Sequence, residues 1–245
     1  MPDPGNSGGR IDMSLVSHDR SGSDRIVFNF HGIGTPRAAL PADEAPYWCE
    51  PDLYFRLLDA IVALQAETGA PVEITFDDGN RSDLDIAAPA LAERGLTATF
   101  FVCAGRLNDP YYLDPAALRA LTDMGMGVGS HGHSHTDLRK TDEATLRLET
   151  SESRQAIADA VHGDVEGFAI PFGSYDRRVL GALTGYKRVY TSDEIRAGGP
   201  GLRIVPRIAY VSGWRAETIR ERALEKYSFL RRQKNRLRVY YKRMR

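Results

Sequence analysis

The stretch Val72-Glu73-Ile74-Thr75-Phe76-Asp77-Asp78-Gly79 is a short apolar run that ends in two adjacent carboxylates and a glycine. It reads as a strand that delivers negative charge where it stops. Farther along, Gly129-Ser130-His131-Gly132-His133-Ser134-His135 follows a second strand-like run and sets three histidines at alternate positions. One Asp and two His from these stretches make three ligands for a divalent ion. A three-ligand set keeps a position open for water or substrate, which separates a catalytic site from a closed structural one. Two imidazoles suit a zinc-type ion better than a hard-oxygen metal. The sequence therefore predicts a metal-dependent hydrolase.

Around these stretches, strands and helices alternate. Arg25 to Phe30 is a β-branched and aromatic run that ends in His31-Gly32-Ile33-Gly34, so a histidine stands where the next strand has its aspartates. A long loop from Thr35 to Pro51 follows, of a length that often covers a site. Leu53, Leu57, Ile61 and Leu64 then recur at helical spacing. Ser82 and Asp85 resemble a capping box before a helix to Arg94, and Asp114-Pro115 starts another. A longer helix is expected from Thr141 to about Val161, and a last one from Ala216. Strands are expected at 97–102, 167–170, 188–191 and 202–205. Seven strands alternating with helices favour parallel pairing, with polar residues gathered after the strands. The expected fold is α/β, a distorted, incomplete seven-stranded β/α barrel spanning 24–230. Residues 1–23 are read as a flexible leader and 231–245 as a basic tail.

With 245 residues, 42% apolar and 27% charged side chains, and a net charge of −1, the chain can fill one barrel and has no surplus charge that points to nucleic acid. Cys49 and Cys103 fit neither a disulfide framework nor a zinc ribbon, and are expected to be buried thiols. The first 25 residues hold no apolar run that reads as a signal-peptide core, and no segment is long and apolar enough to span a bilayer. A cytoplasmic location is expected.

Thr75-Phe76-Asp77-Asp78-Gly79, His131-x-x-x-His135 and Pro171-Phe172-Gly173 resemble motifs of the polysaccharide deacetylases of carbohydrate esterase family 4, as does Ala98-Thr99-Phe100-Phe101. The resemblance implies a distorted barrel, a Zn2+-type ion, and hydrolysis of an N-acetyl group on an amino-sugar polysaccharide or its precursor. It also implies that Asp77 is the general base, that Asp78, His131 and His135 bind the metal, and that the Phe172 N–H faces the oxyanion. Two elementary arguments agree. Neighbouring side chains that leave a strand diverge, so one carboxylate can ligate while the other stands beside the water. Histidines four apart on a helical turn present their rings on one face.

The match departs in two places. Where the family carries an arginine that holds the base, this chain has Ala169, and it has no histidine after His162 to serve as the acid. Some members carry their motifs in circularly permuted order, with the acid on the first strand, and His31 fits that variant. Arg207, leaving the last strand, is then expected to stand in for the missing arginine, and Asp193 is either the carboxylate that favours a protonated His31 or a loop cap. His133 is either a surface residue or a second candidate base. Tyr47 and Trp48 either stack on a sugar or anchor the loop.

Two other functions stay open, a catalytically silent sugar-binding barrel and an amidohydrolase acting on a non-carbohydrate amide. The tail gathers Arg231, Arg232, Lys234, Arg236, Arg238, Lys242, Arg243 and Arg245 beside Leu237, Val239, Tyr240 and Tyr241. That mixture suits peripheral contact with an anionic membrane, at the inner face for a cytoplasmic protein, or else a solvated tail.

Overall fold

In the computed structural model, residues 26–36, 44–193, 203–225, 239, 241 and 242 are described. The expected leader lies outside them, as does most of the basic tail. Eight parallel strands form one sheet: β1 (Ile26–Phe30), β2 (Val72–Phe76), β3 (Ala98–Val102), β4 (Gly127–Ser130), β5 (Gly167–Ala169), β6 (Arg188–Thr191), β7 (Ile204–Pro206) and β8 (Ile208–Ala209). Strands β1 to β6 are neighbours in chain order, β7 pairs with β6, and β8 pairs with β1. The segment 204–209 therefore bridges the two ends of the sheet and nearly closes the barrel. The seventh strand, expected at 202–205, lies at Ile204–Pro206, and a short eighth strand that was not expected follows it after Arg207, next to a proline that has no N–H to give the ladder. Arg207 N–H still bonds Thr191 O at 2.9 Å, and Tyr210 N–H bonds Asn29 O at 2.8 Å.

Alternation along the strands separates two cores. Outward residues such as Phe28, Phe30, Ile74, Phe76 and Phe100 pack under the helices in a large aromatic and aliphatic cluster. The helices are α1 (Pro51–Thr68), α2 (Ala88–Glu93), α3 (Pro115–Asp123), α4 (Glu143–Arg147), α5 (Ser153–Val161), α6 (Arg177–Ala182) and α7 (Ala216–Leu224). A second, smaller cluster joins Val27, Phe101, Ala169, Tyr190 and Val205 from five different strands. These fill the barrel interior, as side-chain layers do in closed barrels.

The helix starts are chemically legible, with two corrections. Asp114 accepts from Ala117 N–H at 2.7 Å, as a cap ahead of Pro115 should. The long helix is capped by Asp142, not Thr141, and is interrupted by a π-turn over Leu148–Glu152. Ser82 does not cap its own helix. Its hydroxyl accepts from Ile33 N–H at 3.1 Å, tying the loop after β1 to the turn after β2, and the chain passes through a π-turn at Asp83–Ala87 before α2. Both cysteines are buried and unpaired. Among the described residues no helix is long and apolar enough to cross a membrane.

Candidate metal centre and active site

All of the site's groups leave the C-terminal ends of the strands. Asp77 N–H is still paired with Phe30 O at 3.0 Å, so its side chain stays inside the barrel. Asp78 then takes a left-handed conformation, with φ 79°. This conformation is disfavoured for a residue with a Cβ and is found where a site requires it. The two carboxylates diverge because of that turn, not through strand alternation as expected from the sequence. Gly79 follows with φ 71°, where an added Cβ would lie 2.9 Å from Val102.

Asp78 Oδ1 stands 3.4 Å from His135 Nε2 and 3.9 Å from His131 Nε2, and the three potential ligand atoms lie within 4.8 Å of one another. Two ligands about 2.1 Å from a shared ion in tetrahedral geometry lie about 3.4 Å apart, so the residues fit a zinc-type ion with little movement. Fitness extends to the tautomer. His131 Nδ1 is 2.8 Å from Ala169 O, which holds the proton on Nδ1 and leaves Nε2 as the lone-pair atom. Burial pushes the His131 imidazole down to about 4, so it is neutral at pH 7. For Asp78, burial acts upward, and the neighbouring charges of His31, His135, His131 and Arg106 outweigh it, so the carboxyl is held below its ordinary value.

His131 and His135 are not on a helical turn. Their loop has no regular structure, Gly132 has φ 87° and His135 itself φ 53°. The loop is folded by the buried Glu149, which accepts from His133 N–H at 2.6 Å and from Ser134 N–H at 3.0 and 3.1 Å. His133 points its Nδ1 at the Ser134 hydroxyl, 2.9 Å away, and is outside the triad. Glu149 went unnoticed in the sequence because it sits mid-helix, six residues beyond the first residue of α4. Its neighbours Arg147, Thr150, Ser151, Glu152 and Ser153 are polar, so nothing in the sequence sets this carboxylate apart.

Asp77 has a separate set of partners. Arg207 Nη1 donates to Oδ1 at 2.7 Å and Nη2 to Oδ2 at 2.8 Å, while Asn29 Nδ2 donates to Oδ2 at 3.0 Å. Asn29 Oδ1 in turn accepts from Arg207 at 2.8 Å and from the Thr75 hydroxyl at 2.8 Å. The guanidinium carbon lies 5.6 Å from the Phe101 ring centroid and 5.9 Å from that of Tyr190, directly against the interior cluster that contains Ala169. Burial acts to raise the Asp77 carboxyl, and Arg207, with His131, more than reverses it, holding the group well below the carboxylate range. Asn29 and Thr75 were invisible as site residues because each alternates with apolar neighbours in an ordinary strand pattern.

His31, at the end of β1, rests on the Tyr47 ring with centroids 4.8 Å apart, and a Cβ on Gly32 would collide with Trp48 at 2.3 Å. Asp193 is not its partner. Among the described residues Asp193 contacts Tyr175 Oη at 2.7 Å and Lys242 Nζ at 2.8 Å and does not reach His31. Asp193 follows β6 and His31 follows β1, with β7 and β8 standing between them where the barrel nearly closes. The carboxylates whose pKa feels the charge of His31 are Asp78 and Asp77. Phe172 has φ 57°, and its ring leans on His135 with centroids 4.6 Å apart. Arg106, unassigned by sequence, places Nη1 3.4 Å from Asp78 Oδ1 and its guanidinium carbon 4.6 Å from the Tyr112 ring centroid.

A nearly closed parallel barrel with an Asp-His-His cluster at its strand ends defines a class of metal-site α/β barrels. Comparison with known proteins narrows the class. The polysaccharide deacetylase family model matches residues 65–189, just over half of the chain. The chain belongs to the polysaccharide deacetylase family, carbohydrate esterase family 4. A chitooligosaccharide deacetylase of Rhizobium leguminosarum bv. trifolii is 33% identical over 90 residues, 36% of this chain and 40% of that protein. The structure of the Streptococcus pyogenes deacetylase PplD in complex with acetate is 18% identical with a TM-score of 0.71, covering 84% of this chain and all of that one. IcaB from Ammonifex degensii is 21% identical with a TM-score of 0.65, over 82% of this chain and 96% of its own. At these identities the two structures establish the shared fold. The chain spans less than half the length of the curated relatives it matches.

Proposed function

We propose that this protein hydrolyses the N-acetyl group of an amino sugar in a polysaccharide or its precursor, with Asp78, His131 and His135 holding a zinc-type ion. The observation that carries the reading is the division of labour within the Asp77–Asp78 pair. Asp77 is bonded by Arg207 and Asn29, and Asp78 faces two imidazole nitrogens. One carboxylate is thereby kept ionised off the ligand set, and the other completes it.

When bound, such an ion supplies Lewis acidity toward an amide carbonyl and makes a water more acidic. Asp77 accepts the proton of the attacking water as its oxygen bonds to the acetyl carbon. His31 donates a proton to the amine as the C–N bond breaks, so the products are acetate and the free amino sugar. The Phe172 N–H, presented by its left-handed backbone, faces the charge that develops on the carbonyl oxygen. A cleft of about 180 Å³, lined by Ile33 and Trp48 after His31, by Asn80 and Arg81 after Asp78, and by Tyr111 and Tyr112, offers aromatic faces for a sugar ring. His31 directly after the first strand and Arg207 between the last two support a circularly permuted motif order. Arg207 also supplies to Asp77 the cation that Ala169 cannot, which removes the main motive for a catalytically silent barrel. The test is acetate release from N-acetylglucosamine oligomers by metal-loaded protein, set against Asp77→Asn protein. Equal release by the two would move the base elsewhere, with His133 the next candidate.

Peripheral contact with an anionic membrane, at the inner face for a cytoplasmic protein, is the reading that the basic and aromatic composition of residues 231–245 supports. Stronger co-sedimentation with anionic than with neutral vesicles, lost on deletion of 231–245, is the expected result. Equal binding to both kinds of vesicle would leave the tail without that role.

A further inference from the structure

We propose that Lys242, from the basic C-terminal run, is a positioning residue that pins the Pro171-Phe172-Gly173 turn at the rim of the metal site; this rests on the deacetylase reading above. Its ammonium group donates to Gly173 O at 3.0 Å and to Asp193 Oδ1 at 2.8 Å, and lies 5.0 Å from the Tyr175 ring centroid. The acceptor is itself built in. Asp193 is buried after β6, and its other oxygen takes the Tyr175 hydroxyl at 2.7 Å. Val239, three residues earlier, is also buried.

Pro171 and Gly173 are buried, and Phe172 between them is exposed. Phe172 adopts φ 57° and ψ 5°, a conformation that a residue with a Cβ disfavours. The residue is 58% exposed, so burial does not fix it, and among the described residues its ring leans on that of His135 alone. Gly173 follows with φ 56°, and an added Cβ there would meet Ser192 Cβ at 3.0 Å. Within the turn, Gly173 N–H bonds Ile170 O at 3.0 Å and Ser174 N–H bonds Pro171 O at 3.2 Å. Lys242 adds a tie from outside to the carbonyl that directly follows Phe172, and joins it to a rigid carboxylate on the neighbouring strand end. An ammonium group that bridges a backbone carbonyl and a buried carboxylate restricts the peptide on which the Phe172 N–H is aimed.

Lys242→Met and Lys242→Arg in the full chain test this, with hydrogen exchange of the 171–175 amides and steady-state kinetics as readouts. The expected result for Lys242→Met is faster exchange at 171–175 and a kcat lowered about tenfold, less than the roughly 100-fold for outright loss of an oxyanion donor. KM should stay within about twofold, since ground-state binding is left intact. Arginine, which keeps the charge and the donors, should restore most of both. Unchanged exchange, a change in KM alone, or a kcat loss that arginine does not rescue would overturn the proposal. Wild-type protein inactive on every acetylated amino sugar sinks the deacetylase reading instead, and the exchange result still decides whether the anchor exists.

Discussion

Arg207 and Asp77 form a two-pronged ion pair inside the barrel, with both guanidinium nitrogens within 2.8 Å of the two carboxylate oxygens and Arg207 only 1% exposed. The arginine comes from the break between β7 and β8, the segment that bridges the ends of the sheet. Closure of the barrel and ionisation of the candidate base thus depend on the same few residues.

Arg207→Ala should destabilise the protein by about 3–5 kcal/mol in urea unfolding, because it strands a buried carboxylate without its cation. If folded variant is recovered, or Arg207→Lys is used, the acid limb of the rate profile should move to higher pH. The sign follows from Asp77, whose carboxyl is held low by Arg207 and must be ionised to act. An unmoved acid limb in Arg207→Lys would mean that another group sets it.

Metal content and turnover should separate between the paired aspartates. Asp77→Asn is expected to keep the metal and lose at least about 10²-fold in rate, the lower bound for an acid or base. His135→Ala should lose the metal itself, measured as metal bound per chain after dialysis. Full stoichiometry in His135→Ala would refute the triad.

Glu149→Ala should weaken metal binding about 10–100-fold although Glu149 touches no ligand atom, the usual cost of removing a group that orients one. Its carboxylate is what gathers the His133 and Ser134 amides and bends the loop between His131 and His135. Competition against a chromophoric chelator reads this directly, and unchanged affinity would make Glu149 a packing residue.

Metal-free protein should lose stability on the acid side in two stages. His131, pushed down to about 4 by burial, is neutral when folded but takes a proton below its ordinary 6.5 when unfolded. Its contribution is therefore complete above pH 6.5 and is lost as the pH falls through the window down to about 4, by on the order of 3 kcal/mol. Asp77, held low, adds a further loss below about pH 4, the unfolded value of a carboxyl. Stability flat from pH 7 to 4 would contradict the buried, neutral imidazole.

Most of the architecture was legible because strand and helix periods are local. Val72–Phe76 and Ala98–Val102 carry β-branched and aromatic runs between turn residues, and Asp114-Pro115 caps its helix as written. The candidate cluster of Asp78, His131 and His135 was legible because a metal site calls for particular side-chain types, and these stand directly after two strand-like runs. What escaped is what depends on three dimensions. The left-handed turn at Asp78 and the irregular loop at His135 replace the strand and helix geometry expected there. Glu149, Asn29 and Thr75 act through partners far away in the chain, and a single sequence does not mark such partners. Asp193 was assigned to His31 on chemistry alone, and the structure has it bonded to Lys242 and Tyr175.

The most direct test of the central claim is acetate release from N-acetylated amino-sugar oligomers by the purified full chain, before chelation, after it, and after zinc or cobalt is restored. The account predicts release that falls to background on chelation and returns with the metal. Release that survives complete removal of the metal, or none with the site loaded, would contradict it.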